Sequence, residues 1–139
     1  MPAAWSARST CSHASAAAIW GLPVIASDID PVAVDVARAN AEANGLADKV
    51  ICVEAAGFAQ PDLKARAPYD LVFANILKGP LLDLAPHMET NVATGGYAIL
   101  SGILNSQADE VAAAYKRAGF LLTARDEIAE WTTLVLRRA

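Results

Sequence analysis

Two polar residues stand directly after short apolar runs, where their chemistry suits ligand binding. Asp28 follows residues 22–27 (Leu-Pro-Val-Ile-Ala-Ser), and Asn75 follows residues 69–74 (Tyr-Asp-Leu-Val-Phe-Ala). A carboxylate at the end of a buried strand can accept two hydrogen bonds from the hydroxyls of a ribose. Asp28 could instead cap a helix, but Asp30 is better placed for that. The Asn75 amide offers a donor and an acceptor that can orient an amine, although asparagine at a strand end is also a common turn residue.

Other residues capable of catalysis or metal binding show no such pattern. Cys11 and Cys52 cannot form a disulfide framework and lack metal-ligand spacing, so no metal site is predicted. We interpret His87 as a helix-surface residue and assign no catalytic role to it or to His13. Trp131 is expected to pack on an edge strand. A Gly-x-Ser-x-Gly motif, a phosphate-binding lysine loop and a paired-carboxylate signature are all missing from the sequence.

The elements that must position Asp28 and Asn75 alternate along the chain. A helix is predicted to begin at Asp30-Pro31 and to end at Asn44-Gly45. Its apolar residues follow helical spacing at Val32, Val36, Ala39 and Ala43. Another helix, over residues 80–91, places Leu81, Leu84, Ala85 and Met88 on one face, and a third over 106–118 turns Val111 and Tyr115 inward. Gly95-Gly96 is read as a turn. The predicted strands cover residues 22–27, 49–54, 69–74, 97–101, 120–126 and 131–137.

This alternation predicts an α/β, Rossmann-like, doubly wound sheet that is mostly parallel. The last two predicted strands have no helix between them, so they should pair antiparallel at one edge of the sheet. Ligands of such sheets bind outside the carboxyl ends of the strands. The residues expected at those ends are Asp28, Gly57, Asn75 and Ser101.

Composition limits the function classes. The chain has 139 residues, of which 55% are hydrophobic, enough for one domain with a buried core. Its net charge of −4 argues against a strongly basic surface that would bind nucleic acid directly. No uninterrupted run of apolar residues is long enough for a membrane span. The two cysteines favour a cytoplasmic setting, and the oligomeric state is left open.

Several segments together resemble a known enzyme family. The runs 28–31 (Asp-Ile-Asp-Pro) and 39–41 (Ala-Asn-Ala), followed by Asn44-Gly45, resemble the second motif of class I methyltransferases that use S-adenosylmethionine. Residues 74–77 (Ala-Asn-Ile-Leu) and 100–104 (Leu-Ser-Gly-Ile-Leu) narrow the resemblance to the PrmA-type methyltransferases of the eleventh large-subunit ribosomal protein. The resemblance covers residues 16–138 and includes Tyr69-Asp70-Leu71-Val72, Pro80-Leu81, Leu84-Ala85-Pro86, Gly95-Gly96, Gln107, Gly119-Phe120 and Glu130-Trp131.

The resemblance implies roles for four residues. Asp28 would hold the ribose of S-adenosylmethionine, and Asn75 would contact both the cofactor and the substrate amine at the methyl-transfer centre. Ile29 would lie against the adenine, and Gly57 would border it. The implied activity is methylation of lysine or amino-terminal nitrogens on a ribosomal large-subunit protein. Alignment of a deprotonated amine with the sulfonium methyl would be the main contribution of the protein.

The amino-terminal part departs from the family pattern. Family members carry a separate preceding domain and an Asp-x-Gly-Cys-Gly-Ser-Gly loop, and the position of that loop here, residues 6–10, reads Ser-Ala-Arg-Ser-Thr. We therefore expect residues 1–15 to be a disordered, non-family segment created by a shifted reading frame or start. Residues 16–139 would then be a partial methyltransferase domain that lacks its first strand.

Three alternative functions stay open on the sequence alone. A non-catalytic Rossmann-like interaction module, or a remnant that no longer binds cofactor, fits the missing glycines but not Asp28 and Asn75. A methyltransferase of the same class with another substrate fits less well because of the Ala-Asn-Ile-Leu segment. A nicotinamide-dependent dehydrogenase would need a Gly-x-Gly-x-x-Gly fingerprint, which the sequence lacks.

Overall fold

A mixed seven-stranded sheet forms the framework of the computed structural model, which describes residues 3–7, 21 and 23–139. Its strand order is β3-β2-β1-β4-β5-β7-β6; β1 to β5 pair in parallel, and β7 is antiparallel to both β5 and β6. The predicted fold class is confirmed, including the antiparallel pair at one edge. The strands are β1 (Ala3–Ala7), β2 (Val24–Asp28), β3 (Val50–Glu54), β4 (Tyr69–Asn75), β5 (Val92–Leu104), β6 (Phe120–Ile128) and β7 (Trp131–Arg138). The helices among the described residues are α1 (Pro31–Ala43), α2 (Pro61–Arg66), α3 (Lys78–Asn91) and α4 (Ala108–Arg117), with a 3₁₀ turn over Asn105–Gln107.

The central strand of the sheet corrects one expectation. The first strand is not missing, because Ala3–Ala7 pairs in parallel with β2 on one side and with β4 on the other. Its sequence, Ala-Ala-Trp-Ser-Ala, contains no β-branched residue, so local propensity does not indicate a strand. Pairing on both sides overrides that weak propensity. The rest of the expected non-family segment, residues 1, 2 and 8–15, lies outside the described residues.

Helix α1 has the predicted ends but a different buried face. The Asp30 side chain accepts a hydrogen bond from the Val32 amide at 2.9 Å, and Asn44 closes the helix. The buried residues are Val34, Ala37 and Ala41, whereas Val32 is 67% exposed. Apolar residues occur on more than one side of this alanine- and valine-rich helix, so periodicity alone could not select the packed side.

Helix α1 packs on one face of the sheet, and α2, α3 and α4 pack against the larger core on the opposite face. The residues predicted to face inward from α3 and α4 are buried. Two buried hydroxyls tie elements together: the Tyr69 hydroxyl donates to the Leu63 carbonyl at 2.7 Å, and that of Tyr115 donates to the Leu81 carbonyl at 3.1 Å. Burial raises the pKa of Tyr69 to about 12, an effect partly offset by the Arg66 guanidinium, and raises the pKa of Tyr115 as well.

Strand β5 begins earlier than predicted. Gly95-Gly96 does not form a turn but lies inside the strand, where the pairing with β4 shifts register between Tyr69 and Leu71. Gly95 has φ +80°, and a Cβ on Gly96 would lie 3.0 Å from the Asp70 carbonyl oxygen. The glycines therefore accommodate an irregular pairing and a close backbone approach. Within the described residues, no helix is long and apolar enough to cross a membrane.

Candidate ligand cleft at the carboxyl edge of the sheet

The carboxyl ends of β2, β3 and β4 meet at one cleft of about 1,160 Å³. All four predicted site residues, Asp28, Ile29, Gly57 and Asn75, line this cleft. Residues far apart in the sequence come together because parallel strands end at the same edge of the sheet. The Ala55 amide also donates to the Asp28 carbonyl at 2.9 Å, which joins the end of β2 to the segment that follows β3.

Asp28 is a buried carboxylate held by the turn that follows it. The residue is 6% exposed, and its Oδ1 accepts a hydrogen bond from the Asp30 amide at 3.0 Å. Asp30 itself caps α1, so the two neighbouring aspartates have separate tasks, as the sequence indicates. Asp28 therefore lines the cleft and does not cap the helix.

Asn75 is packed against the backbone of β5. The two strands pair Asn75 with Ser101, and the next residue, Gly102, has φ +79°. A Cβ added to Gly102 would lie 2.6 Å from Asn75 Oδ1 and 3.2 Å from the Ile76 carbonyl oxygen. Gly102 therefore provides both the backbone conformation and the space that the Asn75 amide occupies. The Ala-Asn-Ile-Leu and Leu-Ser-Gly-Ile-Leu segments are in contact here.

One side of the cleft mouth is apolar. Ile29 is 71% exposed, so its aliphatic side chain is open to solvent at the cleft. Gly57 also lines the cleft, with φ +59°, and a Cβ there would lie 3.5 Å from Leu84 Cδ1. The exposed aliphatic side chain of Ile29 offers a surface on which a flat ring can lie.

Charged groups in the lining are mainly acidic. Asp28, Asp30 and Asp83 line the cleft, and among the described lining residues Lys64 is the one lysine or arginine. This balance favours a ligand that carries positive charge. Among the described residues, no group of three or more histidine, cysteine, aspartate or glutamate side chains could hold a metal ion.

Among the lining residues, Asp83 had no role predicted from the sequence, and three others were missed or assigned otherwise. Trp131 lines the cleft at 48% exposure and lies on β7, which is not the edge strand. His87 is exposed on α3, as predicted, but it also faces the cleft. Gly102 lies in the Leu-Ser-Gly-Ile-Leu segment, and no role of its own was predicted for it. The places of Trp131 and Gly102 in the cleft depend on which strands become neighbours, and that of His87 depends on how α3 packs, so no local signal in the sequence identifies them.

Comparison with known proteins places the fold and the sequence in one group. Residues 14–139 match the family described as ribosomal protein L11 methyltransferase (PrmA). A ribosomal protein L11 methyltransferase of Brucella suis is 49% identical over 98 residues, covering 70% of this chain and 34% of that protein. The corresponding protein of Chelativorans sp. is 47% identical over 119 residues, covering 84% of this chain and 40% of that protein. The chain thus spans between a third and two fifths of the length of these relatives.

A solved structure agrees with this grouping. The crystal structure of a ribosomal protein L11 methylase from Lactobacillus delbrueckii subsp. bulgaricus superposes with a TM-score of 0.89 at 27% identity. That superposition covers 99% of this chain and 70% of the other.

Proposed function

Because the chain belongs to the ribosomal protein L11 methyltransferase family, we propose that it binds S-adenosylmethionine and transfers methyl groups to amino nitrogens of a ribosomal protein. The main support for the proposal is that one cleft is lined by Asp28, Ile29, Gly57 and Asn75. The acidic balance of that cleft supports a cationic cofactor and a cationic substrate side chain. A cytoplasmic location is part of the proposal and is supported by the scarcity of cysteine.

The residues of the cleft fit the chemical groups of this cofactor. The buried Asp28 carboxylate can accept hydrogen bonds from the two ribose hydroxyls. The exposed Ile29 side chain offers an apolar surface to the adenine, and the loop at Gly57 borders the same space. When bound, S-adenosylmethionine supplies an electrophilic methyl group on a sulfonium.

The contribution of the protein to such a reaction is alignment. Asn75 combines an amide donor with a carbonyl acceptor, and Gly102 limits where that amide can lie. The carbonyl oxygen can accept a hydrogen bond from an incoming amine and so aim its lone pair. Asp83, on the α3 side of the cleft, can attract the protonated form of the amine before it loses its proton.

Calorimetric titration with S-adenosylmethionine tests the proposal. We expect saturable binding by the wild type and a loss of at least tenfold in affinity for Asp28→Asn, because one or more charge-assisted hydrogen bonds disappear. Asp48→Asn is the matched control, since it makes the same change at an exposed aspartate that does not line the cleft. Equal binding by the wild type and Asp28→Asn would refute the assignment of Asp28.

A non-catalytic interaction module is the second candidate, and a specific observation favours it. Residues 1–20 contain no glycine, although family members use a glycine loop in this part of the chain. Failure of the folded wild-type protein to bind S-adenosylmethionine would contradict the methyltransferase proposal and support this second candidate.

A further inference from the structure

The β6–β7 hairpin ends in an exposed tip beside the cleft, which we define as residues 126–131. We propose that this tip docks the basic polypeptide segment that carries the methyl-accepting amine, an inference that rests on the proposed function. Ile128, at 79% exposure, is the most exposed large hydrophobic residue of the described chain, and its cross-strand partner Trp131 is 48% exposed. Adjacent exposed apolar side chains of this size are typical of interaction sites.

The tip is held in a strained conformation. The two-residue turn between Ile128 and Trp131 places Ala129 at φ +54°, the one positive φ outside glycine among the described residues. Asn105 fixes the turn from outside the hairpin: its side-chain amide donates to the Ala129 carbonyl at 2.9 Å, and its backbone amide donates to the Glu130 carbonyl at 3.0 Å. Strain that the surrounding structure maintains in this way is common at sites of function.

The Asn105 side chain that holds the turn is itself hydrogen-bonded to a buried hydroxyl. The Thr132 hydroxyl, on a residue 1% exposed, donates to Asn105 Oδ1 at 2.7 Å. The orientation of the Asn105 side chain is therefore set from within the protein. The tip consequently presents Ile128 at a defined place, which lowers the entropy lost when a partner binds.

The negative charge of the tip favours a positively charged partner. Of its three acidic residues, Glu127 pairs with Arg125, whereas the ion pairs of the described residues include neither Asp126 nor Glu130. Two unpaired carboxylates flanking an exposed isoleucine favour a segment that combines lysine or arginine with an apolar side chain. The same charges disfavour a nucleic-acid backbone.

The position of the tip links docking to the cleft. Trp131 belongs to the tip and also lines the cleft that holds Asn75. Trp131 pairs with Leu104, two residues beyond Gly102 on β5. A polypeptide that covers Ile128 and Trp131 thus lies at the entrance through which a side-chain amine would reach Asn75.

Fluorescence anisotropy with a labelled peptide tests the inference. The probe is a short peptide of lysine, alanine and leucine, and the matched probe has glutamate in place of lysine. We expect Ile128→Ser to weaken binding of the lysine peptide about tenfold, and Glu130→Lys to weaken it and reduce its salt dependence. Leu121→Ser is the control: Leu121 lies on the same strand at 53% exposure, seven residues and roughly 23 Å from Ile128.

Two results would overturn the inference: equal affinity of the wild type for both peptides, or equal effects of Ile128→Ser and Leu121→Ser. Calorimetry with S-adenosylmethionine on the same variants separates this inference from the proposed function. Ile128→Ser should bind the cofactor as the wild type does. Cofactor binding without peptide discrimination refutes docking alone, whereas peptide discrimination without cofactor binding refutes the proposed function and retains the docking surface.

Discussion

Replacement of Gly102 by alanine should damage the cleft more than its small size suggests. The added Cβ would lie 2.6 Å from Asn75 Oδ1, closer than the two atoms can remain, and 3.2 Å from the Ile76 carbonyl oxygen. Either the Asn75 side chain or the β5 backbone must move. Because Gly102 also has φ +79°, the alanine would be strained even without this contact.

A second glycine separates the two effects. Gly45 has φ +69° with no heavy atom within 4 Å of its added Cβ, so Gly45→Ala carries the backbone strain alone, about 1–2 kcal/mol. The contact with Asn75 adds the cost of an overpacked site, about 1–3 kcal/mol. The free energy of unfolding of Gly102→Ala should therefore lie below that of Gly45→Ala by about 1–3 kcal/mol.

Urea denaturation and cofactor titration of the two variants check this reasoning. Gly45→Ala should bind S-adenosylmethionine with wild-type affinity, because Gly45 does not line the cleft. Gly102→Ala should lose affinity by about fivefold to tenfold, since a displaced Asn75 amide loses a hydrogen bond to the cofactor worth about 1–1.5 kcal/mol. Equal stability and equal affinity in the two variants would show that Gly102 does not position Asn75.

Three further changes test the core and the hairpin tip. Tyr69→Phe should lower the free energy of unfolding by about 1–3 kcal/mol below pH 10, because the Leu63 carbonyl loses its hydrogen-bond donor. The difference in stability between wild type and variant should shrink as pH rises from 10 to 12, because unfolding of the wild type then releases the Tyr69 proton. A difference that stays constant with pH in urea melts would contradict the raised pKa. Ala129→Gly should raise the free energy of unfolding by about 0.5–1 kcal/mol by relieving the positive φ, and a lower thermal midpoint would refute that strain. Asn105→Ala should reduce stability by about 1–3 kcal/mol, since the Thr132 hydroxyl is left buried without its acceptor, and should speed hydrogen exchange in the tip; unchanged exchange there would show that Asn105 does not fix the turn.

The sequence predicted those elements whose signals are local. Helix α3 follows its apolar spacing, and α1 begins and ends at the predicted capping residues. The failures depend on distant partners. Strand β1 has only weak strand propensity and forms between two neighbours, and Gly95-Gly96 becomes part of β5 because β4 lies beside it.

The same distinction applies to the cleft. Asp28 and Asn75 could be selected because each follows an apolar run, and the topology of a parallel sheet brings such positions together. The contact between Asn75 and Gly102 depends on the register of β4 with β5, and Trp131 reaches the cleft because β7 lies beside β5. Neither pairing is encoded within a short window of sequence, so these parts of the site required the structure.

The position of β7 between β5 and β6 has a consequence for the order of assembly. Among the described strands, β6 pairs with β7 alone, although it precedes β7 in the chain. It therefore has no template until the chain has turned back on itself at Ala129 and Glu130. Contacts across a two-residue turn are the most local that a sheet offers and form in microseconds. Strands β5 and β7 are separated in the chain by both α4 and β6, so their pairing is far less local. The geometry of this turn, with Ala129 at a positive φ, thus bears on how fast this half of the sheet is completed as well as on how stable it is.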